Sequence, residues 1–360
     1  MAKRFDWWMI AAVAILISIG LAMLYAFSGS AQDQHISWIS RQLLWVAIGI
    51  GVFLFFSSID YRFLTTSKQI LAFAYLGILA VLGAVLVFGK TISGHRAWFA
   101  LGTFTLQPVE FAKIVLVLVL ARYFSQKNLE IWQFRHIIIS ACLLGGIAGL
   151  VLLQPDTGST LILVGIWFFM LLLSGVRMRQ VLILGLVFML LFGLGWFKLF
   201  NRDQKSRIMA LVNPNQDPLG AAYSQRQAQI AIGSGGLWGK GLGKGTQTQL
   251  GFLPASRTDF IFASVGEELG FVGIFLICAS YVVLLWRLLA YAMNAPNNFV
   301  RLFSAGLASA IFLQAAFTIS MNIGILPVIG VGLPFVSYSG SNLLALFSGL
   351  GIIQSMRTHS

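Results

Sequence analysis

Ten runs of mostly apolar residues, each 16 to 33 residues long, dominate this chain of 360 residues. A helix that crosses a lipid bilayer needs about 20 such residues. Only 10% of the residues are charged, whereas soluble domains carry about 25%. This composition excludes a soluble enzyme, a disordered chain and a disulfide scaffold. The runs cover residues 7–27, 42–59, 69–89, 108–124, 136–153, 159–174, 180–200, 260–292, 302–322 and 341–356.

The runs predict an all-α, polytopic membrane protein with about ten transmembrane helices in a single domain, residues 1–360. The eighth run, residues 260–292, is 33 residues long. Because this exceeds the thickness of a bilayer, we expect its helix to be tilted, kinked or extended beyond the membrane.

The basic residues of the short connections fall mainly on one side of the predicted membrane. With the N-terminus inside, the inner segments and the adjoining inner ends of the runs hold twelve Lys and Arg residues, and the short outer segments hold three. Since Lys and Arg concentrate in cytoplasmic connections, both termini are predicted to be cytoplasmic. Membrane topology then explains much of the net charge of +13, and no nucleic-acid partner is expected.

Residues 201–259 form one long extracytoplasmic loop in this topology. Its Ala- and Gln-rich stretch, residues 223–232, predicts a helix. The glycine-rich stretch at 233–246 lacks a phosphate-loop motif, since neither Lys240 nor Lys244 is followed by Ser or Thr. Two interpretations of this stretch stay open: a merely flexible loop, or backbone amides and lysines that contact a lipid pyrophosphate.

Five of the eleven acidic residues lie in or beside apolar runs, where a charge is costly and marks a functional candidate. Glu110 and Lys113 lie three residues apart on one helix face. They form either a self-compensating ion pair or a positive charge held ready for an anionic ligand. Glu267 and Glu268 cannot both share the helix face of Asp259, and a structural role is favoured for Glu268.

Asp156 and Asp259 each precede an apolar run, so each has a structural and a functional interpretation. The structural one is a carboxylate that caps the helix N-terminus. Asp259, however, also lies at the predicted membrane boundary, beside a polar loop and Arg257. A carboxylate there is partly desolvated yet ionised, which suits a general base.

The connection at 322–342 has two prolines, four glycines and three serines, among them Ser337. Irregular backbone at membrane depth is tolerated only inside protein or beside a cavity. The segment is therefore either a plain helix connection or a re-entrant wall of a substrate cavity.

This last connection resembles the signature of the SEDS (shape, elongation, division and sporulation) family, and the resemblance extends over the whole chain. Two positions depart from the family pattern: Ser339 replaces a usual glycine, and Arg257 replaces a common histidine. The other matching stretches are residues 154–158, 213–220, 225–236, 245–249, 258–263 and 266–270.

The resemblance implies a multi-pass protein of the bacterial plasma membrane: a peptidoglycan glycosyltransferase that polymerises lipid II at the outer face. Stretch 245–249 favours an elongation-type member over a division-type one. The family's essential aspartate maps onto Asp259, the expected general base. Because pyrophosphate is already a good leaving group, cationic stabilisation should matter more than a general acid. The candidates for that charge are Lys113, Arg96 and Arg257, with a divalent cation as an open alternative.

The candidate substrate-binding residues are Lys113, Glu110, Arg96, Asp156, Arg257 and Ser337. The expected partners are a class B penicillin-binding protein, which cross-links the strands, and other membrane proteins of the elongation complex. A lipid II flippase or transporter, a division-type polymerase and a non-enzymatic scaffold are the alternatives. A transporter holds its key charges near the membrane midplane, whereas Asp259, Lys113 and Asp156 map to the outer boundary.

Overall fold

The computed structural model describes residues 5–27, 36–63, 68–92, 95–102, 104–127, 133–198, 202–213, 220 and 222–359. The family-like stretch at 213–220 lies largely outside them. Fourteen helices occur in the described residues. They are α1 (Trp7–Ala26), α2 (Ile36–Ser58), α3 (Lys68–Phe88), α4 (Pro108–Gln126), α5 (Phe134–Leu153), α6 (Thr157–Leu173), α7 (Met178–Lys198), α8 (Arg202–Val212), α9 (Tyr223–Ser234), α10 (Thr246–Gln249), α11 (Ile261–Glu268), α12 (Gly270–Met293), α13 (Asn298–Ile323) and α14 (Gly340–Thr358).

Each of the ten apolar runs coincides with helical structure, but six helices of the described chain are both long and apolar enough to span a membrane. These six are α1, α2, α3, α5, α12 and α13. Helix α4 carries Glu110, Lys113 and Arg122 along its length, and α6 has only 17 residues. The predicted number of ten spans therefore stays a prediction.

The expectation of an all-α chain was wrong in one segment, because three short strands connect α3 to α4. They are β1 (Lys90–Ile92), β2 (His95–Leu101) and β3 (Phe104–Leu106), and they pair antiparallel in the order β1-β2-β3. Strands β1 and β3 have only three residues each, and the longer β2 does not alternate strictly between polar and apolar residues, so the sequence gives no strand signal here. The sheet lies beside the first turn of α4, where it helps to enclose the cavity described below.

The eighth apolar run is broken, as its length predicts, into α11 and α12. The break lies at Leu269 and Gly270, and Gly270 has a φ of +65° that favours glycine. A Cβ atom on Gly270 would lie 2.3 Å from the backbone nitrogen of Gly239, so the break is also where the glycine-rich loop docks. The predicted helix at 223–232 is confirmed as α9.

Both termini lie at one end of the bundle, which we call the terminal end. Asp6 caps α1 there and pairs with Arg287 at 2.8 Å and with Arg357, which lie near the C-terminal ends of α12 and α14. The opposite end, which carries the described residues of the range 202–259, is called the loop end. An even number of spans requires termini on one side, whereas the cytoplasmic location stays a prediction.

A continuous apolar core joins the helices, with α13 at its centre against α4, α6 and α12. Helix α1 packs on α12, and α14 packs on α2. Gly306 of α13 permits close contact with α4 and α6, since a Cβ there would lie 2.8 Å from Val117 and 2.9 Å from Met170. The core thus holds α4, α6 and α13 in fixed positions beneath the loop end.

Candidate active site

A cavity of about 510 Å³ opens at the loop end, where α2, α4, α6, α13 and α14 meet the strands and the connections that precede α11 and α14. Its charged lining residues are Glu110, Asp156, Asp259 and Arg207. Its aromatic lining residues are Trp38, Trp45, Trp98 and Tyr338, and polar and backbone groups complete the wall. The cavity is therefore lined by both aromatic and charged side chains.

Asp259 lies in the turn that precedes α11, and it lines the cavity. It does not cap the helix: the N-cap residue is Phe260, and no side chain there accepts a capping hydrogen bond. Burial raises the pKa of the Asp259 carboxyl to about 6, despite opposing effects of the Thr258 hydrogen bond and the Arg207 charge. The negative charge of nearby Asp156 contributes to this rise. A carboxyl group of this kind is about nine-tenths ionised at pH 7 and can accept a proton.

The connection at 322–342 holds the Asp259 turn in place. Ser337 Oγ donates a hydrogen bond of 2.6 Å to the carbonyl oxygen of Thr258, and Asn322 Nδ2 donates one of 2.9 Å to that of Asp259. The backbone N–H of Tyr338 donates to the carbonyl oxygen of Arg257 at 3.0 Å. This irregular segment forms one wall of the cavity, which agrees with its interpretation as a cavity wall and not with that of a plain helix connection.

Ser337 lines the cavity, but its hydroxyl group is engaged within the protein. Besides donating to Thr258, its Oγ accepts a hydrogen bond of 2.7 Å from the N–H of Leu333. Its geometry therefore supports positioning of the wall and of Thr258.

Glu110 and Lys113 form a buried ion pair of 2.8 Å in α4. Lys113 Nζ also donates to Gln314 Oε1 at 2.9 Å, and Asn342 Nδ2 donates to Glu110 Oε2 at 2.5 Å. Glu110, Gln314 and Asn342 line the cavity, whereas Lys113 lies behind them with 4% of its surface exposed. The positive charge of Lys113 is thus compensated within the wall.

Asp156 serves as an N-cap and lines the cavity at the same time. Its carboxylate accepts hydrogen bonds from the backbone N–H of Ser159 at 2.9 Å and from Ser159 Oγ at 2.7 Å. Gln107 Nε2 donates to it at 3.3 Å. Asp156 can therefore be a helix-capping residue and a candidate functional residue at the same time.

The structure does not place Arg96 or Arg257 among the described residues that line the cavity. The guanidinium group of Arg96 donates to the carbonyl oxygens of Leu86 at 3.0 Å and Gly89 at 3.2 Å. These carbonyls end α3 and have no helical partner of their own. The guanidinium group of Arg257 lies 5.7 Å from the ring of Trp38, which lines the cavity.

Arg207 of α8 is the one cation among the described lining residues, and it was not among the site residues predicted from the sequence. Its NH1 group donates to the carbonyl oxygen of Val328 at 3.2 Å, which brings α8 against the connection before α14. The charge of Arg207 lowers the pKa of Asp259, so the two side chains interact electrostatically. The only signal in the sequence was a helical basic stretch inside a long loop.

No group of three or more His, Cys, Asp or Glu residues suited to a metal ion occurs in the part of the chain that the structure describes. Mg²⁺ is often held by one or two carboxylates together with substrate phosphates. Asp156 and Asp259 fit that mode, in which the oxygens of a bound phosphate would complete the ligand set.

The fold and this site define a polytopic helical membrane protein with a charged and aromatic cavity at one end of the bundle. The chain belongs to the FtsW/RodA/SpoVE family of cell cycle proteins, also called SEDS, whose profile matches residues 6–360. The membership confirms the resemblance read from the sequence, and the chain is a multi-pass protein of the bacterial inner membrane.

Named relatives support the membership over nearly the full length. The chain is 38% identical to the peptidoglycan glycosyltransferase MrdB of Escherichia coli K12 over 330 residues, 92% of this chain and 88% of the relative. It resembles the crystal structure of the rod shape determining protein RodA of Thermus thermophilus with a TM-score of 0.71 and 28% identity, covering 98% of this chain and 97% of that one.

A third match is a chain of a peptidoglycan synthase complex whose structure concerns the coordination of polymerization and crosslinking. The TM-score is 0.83 at 30% identity, and the match covers 98% of each chain. Two of the three proteins are thus named for peptidoglycan synthesis and one for rod shape.

Proposed function

We propose that this protein is a peptidoglycan glycosyltransferase that polymerises lipid II, with Asp259 as the general base. The observation that carries the proposal is the position of the Asp259 carboxylate. It faces a large cavity without capping a helix, and burial raises its pKa to about 6. The family membership and the name of the MrdB relative support the same activity.

In the proposed reaction, Asp259 takes the proton from a sugar hydroxyl of the acceptor. The hydroxyl oxygen forms a new bond to the anomeric carbon of the donor, and the bond from that carbon to the pyrophosphate oxygen breaks. The leaving oxygen keeps the electron pair, so negative charge develops there and a fixed cation lowers the barrier. Arg207 is our candidate for this cation, in place of Arg96, because its side chain lines the cavity.

Lys113 and Glu110 have a different proposed role. Their charges compensate each other at 2.8 Å, so the pair would hold Gln314 and Asn342 in position along the substrate path. Asp156 is proposed to contact substrate from the opposite wall while it caps α6. Arg257, behind Trp38, would support that ring by a cation–π contact.

The proposed orientation places the loop end outside the cytoplasm and both termini inside. The distribution of Lys and Arg in the short connections supports it. The cavity then opens at the outer surface of the membrane, where the sugars of a lipid-linked precursor would be accessible. In this orientation the cavity charges lie towards the outer surface, which favours a polymerase over a transporter with charges near the membrane midplane.

We further propose a role in cell elongation and a class B penicillin-binding protein as partner, with other membrane proteins of the elongation complex. The rod-shape name of one structural relative and the synthase complex that contains another support this proposal. A division role is the alternative. Complementation of cells that lack either the elongation or the division polymerase tests it, and rescue of division alone would overturn the elongation role.

The activity is tested with purified protein and lipid II in detergent, with and without a class B penicillin-binding protein. We expect glycan polymer from the unaltered chain and none from Asp259→Asn. Asp60→Asn is the matched control, because Asp60 is an exposed carboxylate at the terminal end, away from the cavity. The backbone N–H of the neighbouring Tyr61 donates to Ser355 Oγ near the C-terminal end of α14, which places Asp60 at that end. Equal polymer from Asp259→Asn contradicts the base assignment. Lipid II translocation in vesicles without polymer would favour the transporter, and neither activity would favour the scaffold.

A further inference from the structure

The glycine-rich loop is held by two fully buried carboxylates of α11. Glu267 accepts hydrogen bonds from the backbone N–H groups of Gln247 at 2.9 Å and Thr248 at 3.1 Å, and it pairs with Lys240 at 2.8 Å. Residues 235–252 around these contacts are called the shelf. Because a buried carboxylate needs several donors to stay ionised, this arrangement makes the shelf a well-defined structure.

Glu268 binds the other part of the shelf. It accepts hydrogen bonds from the N–H of Gly243 at 2.9 Å and from Gln249 Nε2 at 2.8 Å. Gly239 approaches the same residue so closely that a Cβ atom would lie 2.1 Å from the Glu268 carbonyl oxygen. The two acidic residues therefore fix both ends of the shelf on one short helix.

The shelf is also bonded to the ends of two membrane-spanning helices. The N–H groups of Phe271 and Val272, in the first turn of α12, donate to the carbonyl oxygens of Gly236 at 2.9 Å and Leu237 at 3.2 Å. These N–H groups have no partner inside their own helix. Both α1 and α12 are long and apolar enough to span a membrane, so the shelf lies at the loop-end termini of two candidate spans.

A hydrogen bond to α1 also places the shelf at the loop-end termini of these helices. Gln249 Nε2 donates to the carbonyl oxygen of Ala26, the last residue of α1, at 3.3 Å. Since α1 and α12 pack side by side, the shelf crosses the loop-end termini of both helices. A loop that projected into water could not make both contacts.

The outer surface of the shelf is apolar. Trp238 is 80% exposed, Leu237 67% and Leu250 67%. Neighbouring side chains at the helix ends are exposed too, Tyr25 on α1 and Phe271 on α12. Patches of this kind on a soluble surface are unusual, whereas Trp and Tyr concentrate at the membrane–water boundary. The exposed Lys244 supplies a cation beside this surface that suits lipid phosphates.

We infer that the shelf lies in the boundary between headgroups and acyl chains at the loop end, with Trp238, Leu237 and Leu242 inserted among the lipids. The lipid-facing surface of α12 continues into it through Phe271, which makes the bilayer the occupant. The inference does not depend on the proposed reaction. The shelf is nevertheless connected to the cavity, because α11 carries both anchoring carboxylates and begins two residues after Asp259.

Spin labels test the depth of the shelf in nanodiscs of phosphatidylethanolamine and phosphatidylglycerol that contain no other protein. Single cysteines replace Trp238 or Leu242 in a Cys142→Ser, Cys278→Ser background. Phe275→Cys on the exposed face of α12 is the lipid-immersed reference, and Asp60→Cys at the terminal end is the aqueous one. We expect both shelf labels to be more accessible to oxygen than to a water-soluble nickel complex, as at Phe275. Values equal to those at Asp60 overturn the inference.

A pair of substitutions distinguishes insertion from mere proximity. With the label at Leu242, Trp238→Lys should lower the oxygen-to-nickel accessibility ratio towards the Asp60 value, whereas Trp238→Leu should preserve it. Equal ratios in the two variants contradict insertion by Trp238. Labels that leave water only when a single-span partner protein is added would also overturn the inference, because they would assign this surface to a protein.

Discussion

Ser337 donates its hydroxyl hydrogen to the carbonyl oxygen of Thr258 across 2.6 Å, and Thr258 is bonded directly to Asp259. Ser337 and Thr258 are 79 positions apart in the chain. The wall that precedes α14 therefore determines where the carboxylate before α11 lies in the cavity.

Removal of this hydroxyl should reduce polymer formation. Ser337→Ala leaves the Thr258 carbonyl and the Leu333 N–H without their partner, at a cost of about 1–3 kcal/mol. We expect a slower reaction with a modest fall in melting temperature. Ser348→Ala is the control, since Ser348 bonds only the carbonyl of Ala345 within α14. Unchanged polymer formation by Ser337→Ala would show that Asp259 is positioned without it.

The reaction rate should depend on pH through Asp259. Its carboxyl has a pKa of about 6, and a general base acts only when deprotonated. The rate should therefore rise with pH between about 5 and 7, level off above that range, and be lost as pH falls. Rate measurements on the purified protein check this, and a rate that stays constant from pH 5 to 7 is the contrary result.

Asp156→Asn should shift the rising, acidic part of the pH–rate profile to lower pH. The negative charge of Asp156 raises the pKa of Asp259, so its removal lowers that pKa. Asn is also an effective N-cap, and α6 should keep its start. A melting temperature near that of the unaltered chain, measured with the pH profile, separates this electrostatic effect from a loss of structure.

Arg207→Ala should shift the rising, acidic part of the pH–rate profile to higher pH, and it should lower the maximal rate reached above that range. The guanidinium charge lowers the pKa of Asp259, and the same charge is proposed to stabilise the leaving pyrophosphate. Losses of about 100-fold to 1,000-fold are typical when one such stabilising group is removed. Lys205→Ala on the same helix is the control. A plateau rate unchanged by Arg207→Ala would remove Arg207 from the mechanism.

Lys113→Met should be strongly destabilising, because it leaves Glu110 buried without a counter-charge. Breaking a buried pair in this way costs about 3–5 kcal/mol. Adding Glu110→Gln should restore most of the lost melting temperature. Polymer formation by the double variant would assign the pair a structural role, whereas a stable but inactive double variant would favour a direct role for the Lys113 charge.

Gly239→Ala should destabilise the shelf. Gly239 has a φ of +78°, and a Cβ atom would meet the Glu268 carbonyl oxygen at 2.1 Å. Gly236→Ala is closely matched, because Gly236 has a φ of +59° with no atom in the path of a Cβ. Thermal unfolding should show a larger fall for Gly239→Ala, since it adds a clash to the strain that both variants share. Equal falls would contradict close docking of Gly239.

The positions of the main helices could be predicted from the sequence, since each apolar run carries its own signal. The i, i+3 spacing of Glu110 and Lys113 indicated their ion pair for the same local reason. Arg207 could not be found in this way, because its partner Val328 lies 121 residues away. The three strands were missed because they are short, and the Glu267 and Glu268 contacts depend on how a distant loop docks.

The ion pairs of Asp6 have a consequence for the order in which the chain is made. Asp6 is synthesised 281 residues before its partner Arg287 and 351 residues before its partner Arg357. Burial raises the pKa of the Asp6 carboxyl, and the contacts with Arg287, Met9 and Arg357 together lower it below its usual value. Helix α1 is thus made before the counter-charges of Asp6 exist, and the carboxylate can pair with Arg357 only after α14 has been synthesised.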